Sequence, residues 1–282
     1  MAPTLLAGPV NRLRRKPTPR PLPRGVDVIA HRGASGWAPE NTLAAVRLAH
    51  AEGATSVECD VHRTADGCLV VHHDATLARC TDAATSLPDA APWRIADLTL
   101  DQVRRVDATS WFGSGAAPEP VPTLEEWVHA VGPRTGMLIE VKDPARYPGI
   151  EQDIAQLLFS LPAARAVHQA GRLTIQSFDH AWLARFKQRA PEVPVGLLTG
   201  TRPRGRDLVE AASWAEQVNP RARTVTRPIV ERAHEFGLQM RAWTVNDPLV
   251  MARLVEWRID GIITNQPARL VGLLDAMGPS GP

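Results

Sequence analysis

Glu58 and Asp60 stand two residues apart in the β-branched run 55–60, so on a strand both carboxylates leave the same face. Two buried carboxylates on one face repel each other unless a cation lies between them. A third acid, Glu140, falls near the end of the later run 137–141. Three hard oxygen donors converging on one point suit Mg²⁺ or Ca²⁺, and Mn²⁺ can be accommodated; zinc, which favours histidine and cysteine, fits poorly. The competing structural reading pairs these acids with Arg32 and Lys142 in an ion network.

His31 and His73 are the candidate proton carriers. An imidazole with an ordinary pKa near 6.5 can take a proton from a nucleophile or give one to a departing alkoxide near neutral pH. Arg32 and Lys142 are the cations expected to hold non-bridging phosphate oxygens, Arg through its forked donors and Lys as a point charge. One histidine at a strand end is more often structural than chemical. Two of them, with an Arg, a Lys and three acids, point to phosphoryl chemistry. Cys59, lying between two of the acids, reads as a small core filler.

These residues need elements that bring them to one place. From residue 26 onward eight β-branched runs alternate with helical stretches: 26–30, 55–60, 137–141, 173–176, 195–198, 217–219, 240–244 and 259–264. Helices are expected over 41–51, 150–169, 180–189, 207–215, 228–236, 248–257 and 267–277. Eight βα units over about 250 residues match a closed (β/α)8 barrel of the α/β class, a TIM barrel. The candidate residues fall at the carboxyl ends of its strands, where that architecture builds its sites. An open dinucleotide-binding sheet is excluded because Gly33-Ala34-Ser35-Gly36 lacks the required glycine spacing.

After the second strand, Asp66-Gly67 between two apolar-rich runs predicts a β-hairpin. A two-residue turn there sets His73 opposite Asp60. Residues 75–122 then form a short insertion before Thr123, with Glu126 three residues later, opens a helix as a capping box.

Residues 1–24 hold six basic side chains, many prolines and no acid, and are expected to form a disordered tail ahead of a catalytic domain over 25–277. Of 32 basic and 30 acidic residues, those six basic ones lie in the tail, so the rest of the chain carries a formal charge of −4. With the basic excess confined there, nucleic acid is not an expected partner. No apolar run suits an export signal or a membrane span, so stable membrane insertion is not expected. Three unspaced cysteines, Cys59, Cys68 and Cys80, suit a reducing cytoplasm.

Ordered motifs run through nearly the whole of 26–274: His31-Arg32-Gly33, Pro39-Glu40-Asn41-Thr42, Glu58-Cys59-Asp60, Val71-His72-His73-Asp74, Pro122-Thr123-Leu124-Glu125-Glu126, Glu140-Val141-Lys142, Ser177-Phe178, Trp243-Thr244-Val245-Asn246 and Asp260-Gly261-Ile262-Ile263-Thr264. In this order they resemble the glycerophosphodiester phosphodiesterase family. The resemblance implies hydrolysis of a small glycerophosphodiester to sn-glycerol 3-phosphate and an alcohol. His31 and His73 would be the acid–base pair, and Glu58, Asp60 and Glu140 would hold a divalent cation. Arg32 and Lys142 would contact phosphate, and Glu40 would support a neighbouring histidine or arginine. His72, in a variable slot, ranks below His73. Trp243, Phe178 and Trp37 are candidates for an apolar substrate wall, with Trp243 the expected substrate contact. Asn265 stands where family members often carry Asp. Direct attack by water and a cyclic phosphate intermediate both remain open, as do cleavage of lysophospholipids and a non-catalytic phosphodiester-binding role.

Overall fold

In the computed structural model of the chain, residues 25–113, 115 and 117–278 are described, and nine strands among them form one sheet. β1 (Asp27–Ala30), β2 (Ser56–Arg63), β3 (Leu69–Val71), β4 (Gly136–Val141), β5 (Leu173–Ser177), β6 (Val195–Thr199), β7 (Gln217–Pro220), β8 (Gln239–Ala242) and β9 (Gly261–Thr264) follow in chain order. All but β3 are parallel, and β1 pairs with both β2 and β9, so eight strands close into a barrel. Helices follow the strands, as the eight βα units predict. The segment 1–24, expected as a tail, lies outside the described residues.

Strand alternation decides which side chains face the helices and which face inward. Along β2, Val57, Cys59 and Val61 pack in the large apolar cluster between sheet and helices, together with Trp127, Ile139 and Trp182. Glu58 and Asp60 therefore point the other way, and Cys59 is a core filler. Inside the barrel, Ile29, Leu138 and Ile263 form an apolar plug against Trp243. His31, Glu140 and Asn265 each lie two residues further along the same strand lines. They emerge on the same side one layer higher, at the carboxyl ends.

Two expectations are corrected. The helix expected over 150–169 is two, Ile150–Ser160 and Pro162–Gln169, because Pro162 drives Leu161 into extended backbone, φ −89° and ψ 122°. The hairpin also has a different register: Val61 pairs with Val71 and His62 with Val70, and His72 N donates to Asp60 O. Thr64 N closes on Cys68 O around a three-residue loop with Gly67 left-handed at φ 88°. The extra loop residue slips the return strand by one, so His72, not His73, stands opposite Asp60.

The capping box at Thr123 and Glu126 is present and starts the helix Leu124–Val131. Between β3 and that helix the chain builds an apolar cluster of its own, with Leu77, Ile95, Val103 and Val121 gathered on Val70. The insertion is thereby anchored over the hairpin, close to His73.

Gly33, immediately after His31-Arg32, is left-handed at φ 81°, and a Cβ on it would lie 2.5 Å from Ala45 Cβ. Gly33→Ala is accordingly expected to destabilise the protein by at least about 2 kcal/mol, from backbone strain and overlap together. A denaturation midpoint equal to that of the unsubstituted protein would contradict this close approach. Among the described residues no helix is long and apolar enough to cross a membrane.

Candidate active site

Asp60 and Glu140 are register partners on adjacent strands, and Glu58 lies one layer below Asp60. One carboxylate oxygen from each of the three lies within 4.8 Å of the others, and all three residues are buried. Burial, then the charges of Asp60 and Glu140, push Glu58 well above the usual carboxylate range. Burial and Asp60 likewise raise Glu140, to about 7. Burial acts in the same direction on Asp60, but Arg32, Lys142 and His73 outweigh it and hold that carboxyl well below its ordinary value.

The cations present do not neutralise this cluster. Arg32 Nε lies 3.0 Å from Asp60 Oδ2, and Lys142 Nζ lies 2.6 Å from Glu140 Oε1 and 3.5 Å from Asp60 Oδ1. The ion network of the competing structural reading is thus partly in place. Glu58 receives only the Arg32 backbone N–H at 2.9 Å, and both Glu58 Oε1 and Asp60 Oδ1 are buried without a hydrogen bond. Three carboxylates facing two cations, with two unbonded oxygens turned inward, fit a divalent cation bound by hard oxygen donors.

His31 and His73 open on one cavity of about 90 Å³, shared with Arg32, Glu58, Glu140 and Lys142. Each ring is held at Nδ1. Asn265 Oδ1 accepts from His31 Nδ1 at 2.7 Å, and Asp74 Oδ1 lies 2.5 Å from His73 Nδ1. That fixes the tautomer with Nε2 as the atom available for proton transfer. Burial, followed by the Arg32 guanidinium, pushes His31 down to about 4, so its ring is neutral near pH 7.

Behind the two rings runs a chain of ion pairs. Arg79 binds Asp74 Oδ2 at 2.7 Å and Glu40 Oε1 at 2.7 Å, and Glu40 accepts from Arg32 at 2.9 Å. Burial works to raise Asp74, but Arg79 and His73 hold it well below the carboxylate range. Glu40 thus touches Arg32 and Arg79, and no histidine. Asn41 Nδ2 donates to Asp60 Oδ2 at 2.9 Å, made possible by its left-handed φ of 60°. A further link reaches the His73 backbone: His62 Nε2 donates to His73 O at 3.1 Å, and Tyr147 O–H donates to His62 Nδ1 at 2.9 Å.

The remaining candidates divide. Trp243 lines the cavity, donates from Nε1 to Asn219 O, and meets Phe178 edge-on at 5.5 Å. Trp37 is 61% exposed and lies outside that lining, so the wall has two aromatics and not three. His72 is buried on Thr76 O, away from the cavity. Asp74, Arg79 and Asn265 had no assigned part in the sequence. Asp74 could have been found beside its histidine and Asn265 from the Asp that the family often carries at that place; Arg79 carries no local signal.

Asn265 should matter through His31 alone. Asn265→Ala is expected to lower kcat by about tenfold to a hundredfold with little change in KM, the usual size for an outer partner of a site residue. Asn265→Asp keeps an oxygen acceptor that holds the ring, but its charge should raise His31 and move the acid limb of the pH–rate profile upward. Full turnover by the alanine variant would show that His31 needs no such partner.

Residues 31–269 match the family described as glycerophosphoryl diester phosphodiesterase. The glycerophosphodiester phosphodiesterase of Caldanaerobacter subterraneus subsp. tengcongensis is 34% identical over 256 residues, covering 88% of this chain and 97% of that protein. That of Bacillus subtilis is 32% identical over 258 residues, covering 87% and 85%. Among solved structures, an Oleispira antarctica phosphodiesterase in complex with the product sn-glycerol-3-phosphate superposes with a TM-score of 0.76 at 26% identity, over 88% of this chain and 96% of that one.

Proposed function

Since the chain belongs to the glycerophosphoryl diester phosphodiesterase family, we propose that its residues divide the hydrolysis of a glycerophosphodiester to sn-glycerol 3-phosphate and an alcohol between a neutral imidazole base and a carboxylate-backed imidazole acid. The observation that carries this reading is the pair of Nδ1 contacts, a neutral amide on His31 and a carboxylate on His73. His31, neutral and with Nε2 as its proton acceptor, takes the proton from the attacking hydroxyl, whether water or the substrate's own glycerol oxygen. His73, whose ring Asp74 holds at Nδ1 so that Nε2 is the free position, gives its Nε2 proton to the departing alkoxide. The bond that breaks joins phosphorus to the leaving oxygen, and the histidines exchange roles as protons return from water.

Arg32 and Lys142 line the same cavity and supply the positive charge for the non-bridging oxygens. Glu40 and Arg79 brace Arg32 and Asp74, so their roles are positional. Trp243 and Phe178 form the apolar side against which the substrate carbons rest. Glu58, Asp60 and Glu140 would hold a divalent cation, Mg²⁺ or Ca²⁺ by donor type and Mn²⁺ as a substitute, which supplies charge stabilisation to the phosphoryl group. The catalytic domain spans 25–277, and three unpaired cysteines fit a reducing cytoplasm.

The test is release of sn-glycerol 3-phosphate from glycerophosphocholine, glycerophosphoethanolamine and glycerophosphoglycerol, with chelation and metal add-back. Turnover of all three that stops on chelation supports the reading. A strong preference for lysophosphatidylcholine over glycerophosphocholine would replace it with a lipid head-group hydrolase.

A further inference from the structure

β6 and β7 end beside the cavity, since Leu198 and Trp243 both line it and Trp243 is tied to Asn219 O on β7. The loops leaving those strands, 200–204 and 221–226, contain four arginines and no acid, and Arg206 and Arg227 stand in the first turns of the helices that follow. The loops are neighbours in space as well: Arg221 N donates to Thr199 O, and Ala222 N to Trp243 O. All six arginines are exposed. Arg206 and Arg227 have local partners in Asp207 and Glu231. Arg202, Arg204, Arg221 and Arg223 have no ion-pair partner among the described residues.

Four unneutralised guanidinium groups on one rim stand out because the chain beyond residue 24 carries a formal charge of −4. A rim lined by one sign of charge raises the local concentration of anions. The scissile phosphate already has Arg32 and Lys142 inside the cavity. The rim arginines do not line that cavity; they stand on the loops that leave the strands bordering it. On the glycerol side the product is glycerol 3-phosphate itself, so an additional anion has to sit on the leaving alcohol.

We propose that Arg202, Arg204, Arg221 and Arg223 form a binding site for a second phosphoryl group on the leaving alcohol, so that the preferred substrates are glycerophosphodiesters whose alcohol is itself phosphorylated. Planar forked donors suit the three oxygens of such a group. This inference rests on the hydrolytic reading above and adds a substrate class to it.

The probes are glycerophosphocholine and glycerophosphoinositol 4-phosphate, assayed with the full chain and added divalent cation. The variant carries Arg202→Gln, Arg204→Gln, Arg221→Gln and Arg223→Gln together, and a matching set of Lys replacements controls for folding and charge. The unsubstituted protein should show kcat/KM at least about tenfold higher for the phosphorylated substrate at low salt, with the preference shrinking as salt screens the rim. The Gln set should bring the ratio near one without altering glycerophosphocholine turnover, and the Lys set should restore part of it. Absence of the preference, its survival in the Gln set, or an equal loss on both substrates overturns the proposal. So does a Gln set that keeps the substrate ratio but loses binding to phosphatidylglycerol vesicles or single-stranded RNA, because the rim would then serve a macromolecule. Hydrolysis of neither substrate by the unsubstituted protein defeats the reading of the site itself, whereas glycerophosphocholine hydrolysis without the preference removes this inference alone.

Discussion

His73→Ala is expected to slow glycerophosphocholine hydrolysis by about a thousandfold, within the range that positioned proton transfer contributes, and most of that loss should vanish with a nitrophenyl leaving group. A nitrophenolate departs without a proton, so a missing acid costs little there. His31→Ala should lose a similar factor on glycerophosphocholine and keep losing it on the nitrophenyl ester, because the nucleophile still has to be deprotonated. The asymmetry follows from the two Nδ1 partners: the neutral Asn265 amide leaves His31 as a base, and the Asp74 carboxylate, held ionised by Arg79, orients the His73 ring toward the leaving oxygen. Equal deficits on both substrates, or the reverse pattern, would refute this division. Each variant should keep the melting temperature near its original value, since both rings face the cavity and neither lies in the apolar core.

Chelation should abolish turnover, and add-back of Mg²⁺, Ca²⁺ or Mn²⁺ should restore it, with a loss of about a thousandfold or more given the several kcal/mol that a bound cation supplies. Glu58→Gln should weaken binding sharply, because it removes the acid with no cation of its own. The pH dependence has a definite sign. Glu58 is raised well above its ordinary value and Glu140 to about 7, so without the ion the folded protein favours their protonated forms. Raised acids contribute stability that is complete below the unfolded pKa near 4 and, for Glu140, is lost as pH climbs through about 7. Cation binding needs the ionised forms, so affinity should rise about tenfold per pH unit for each proton released, the Glu140 contribution levelling off above about pH 7. Thermal melts at pH 6 and pH 8 read this directly: added cation should raise the melting temperature more at pH 8. An equal shift at both values would mean that the carboxylates are already ionised and that the Lys142 and Arg32 pairs neutralise them.

The same magnitudes bear on why the cluster is there. A purely structural network of three buried acids and two cations is a poor stabiliser, since desolvation offsets much of the attraction. Replacing it with apolar side chains would serve the fold at least as well. Retaining it, with two oxygens unbonded, is what a cation site requires.

Local pattern was enough to read the scaffold. Eight β-branched runs separated by helical stretches specify a barrel because each run needs an apolar face on both sides, and period-two alternation alone sends Glu58 and Asp60 inward while Cys59 joins the helix layer. The capping box at Thr123 and Glu126 is likewise a matter of residues three apart. Pro162 was equally visible as a helix breaker, though the helical pattern on both sides of it suggested one continuous element.

What needed the closed barrel are the contacts between distant segments. His31 meets Asn265 across 234 residues only because β1 and β9 are the two strands that seal the ring. Arg79 reaches both Glu40 and Asp74 because the insertion folds back on its own apolar cluster, and the arginine rim arises where two loops from adjacent strands come together. The hairpin register turned on one left-handed residue, Gly67, whose conformation Asp66-Gly67 permits without dictating. Residue types and short spacings determined the donors and the acids of this protein; their partners were decided by ring closure and loop conformation, since a side chain's identity constrains its near neighbours in sequence far more than the remote segment the fold lays beside it.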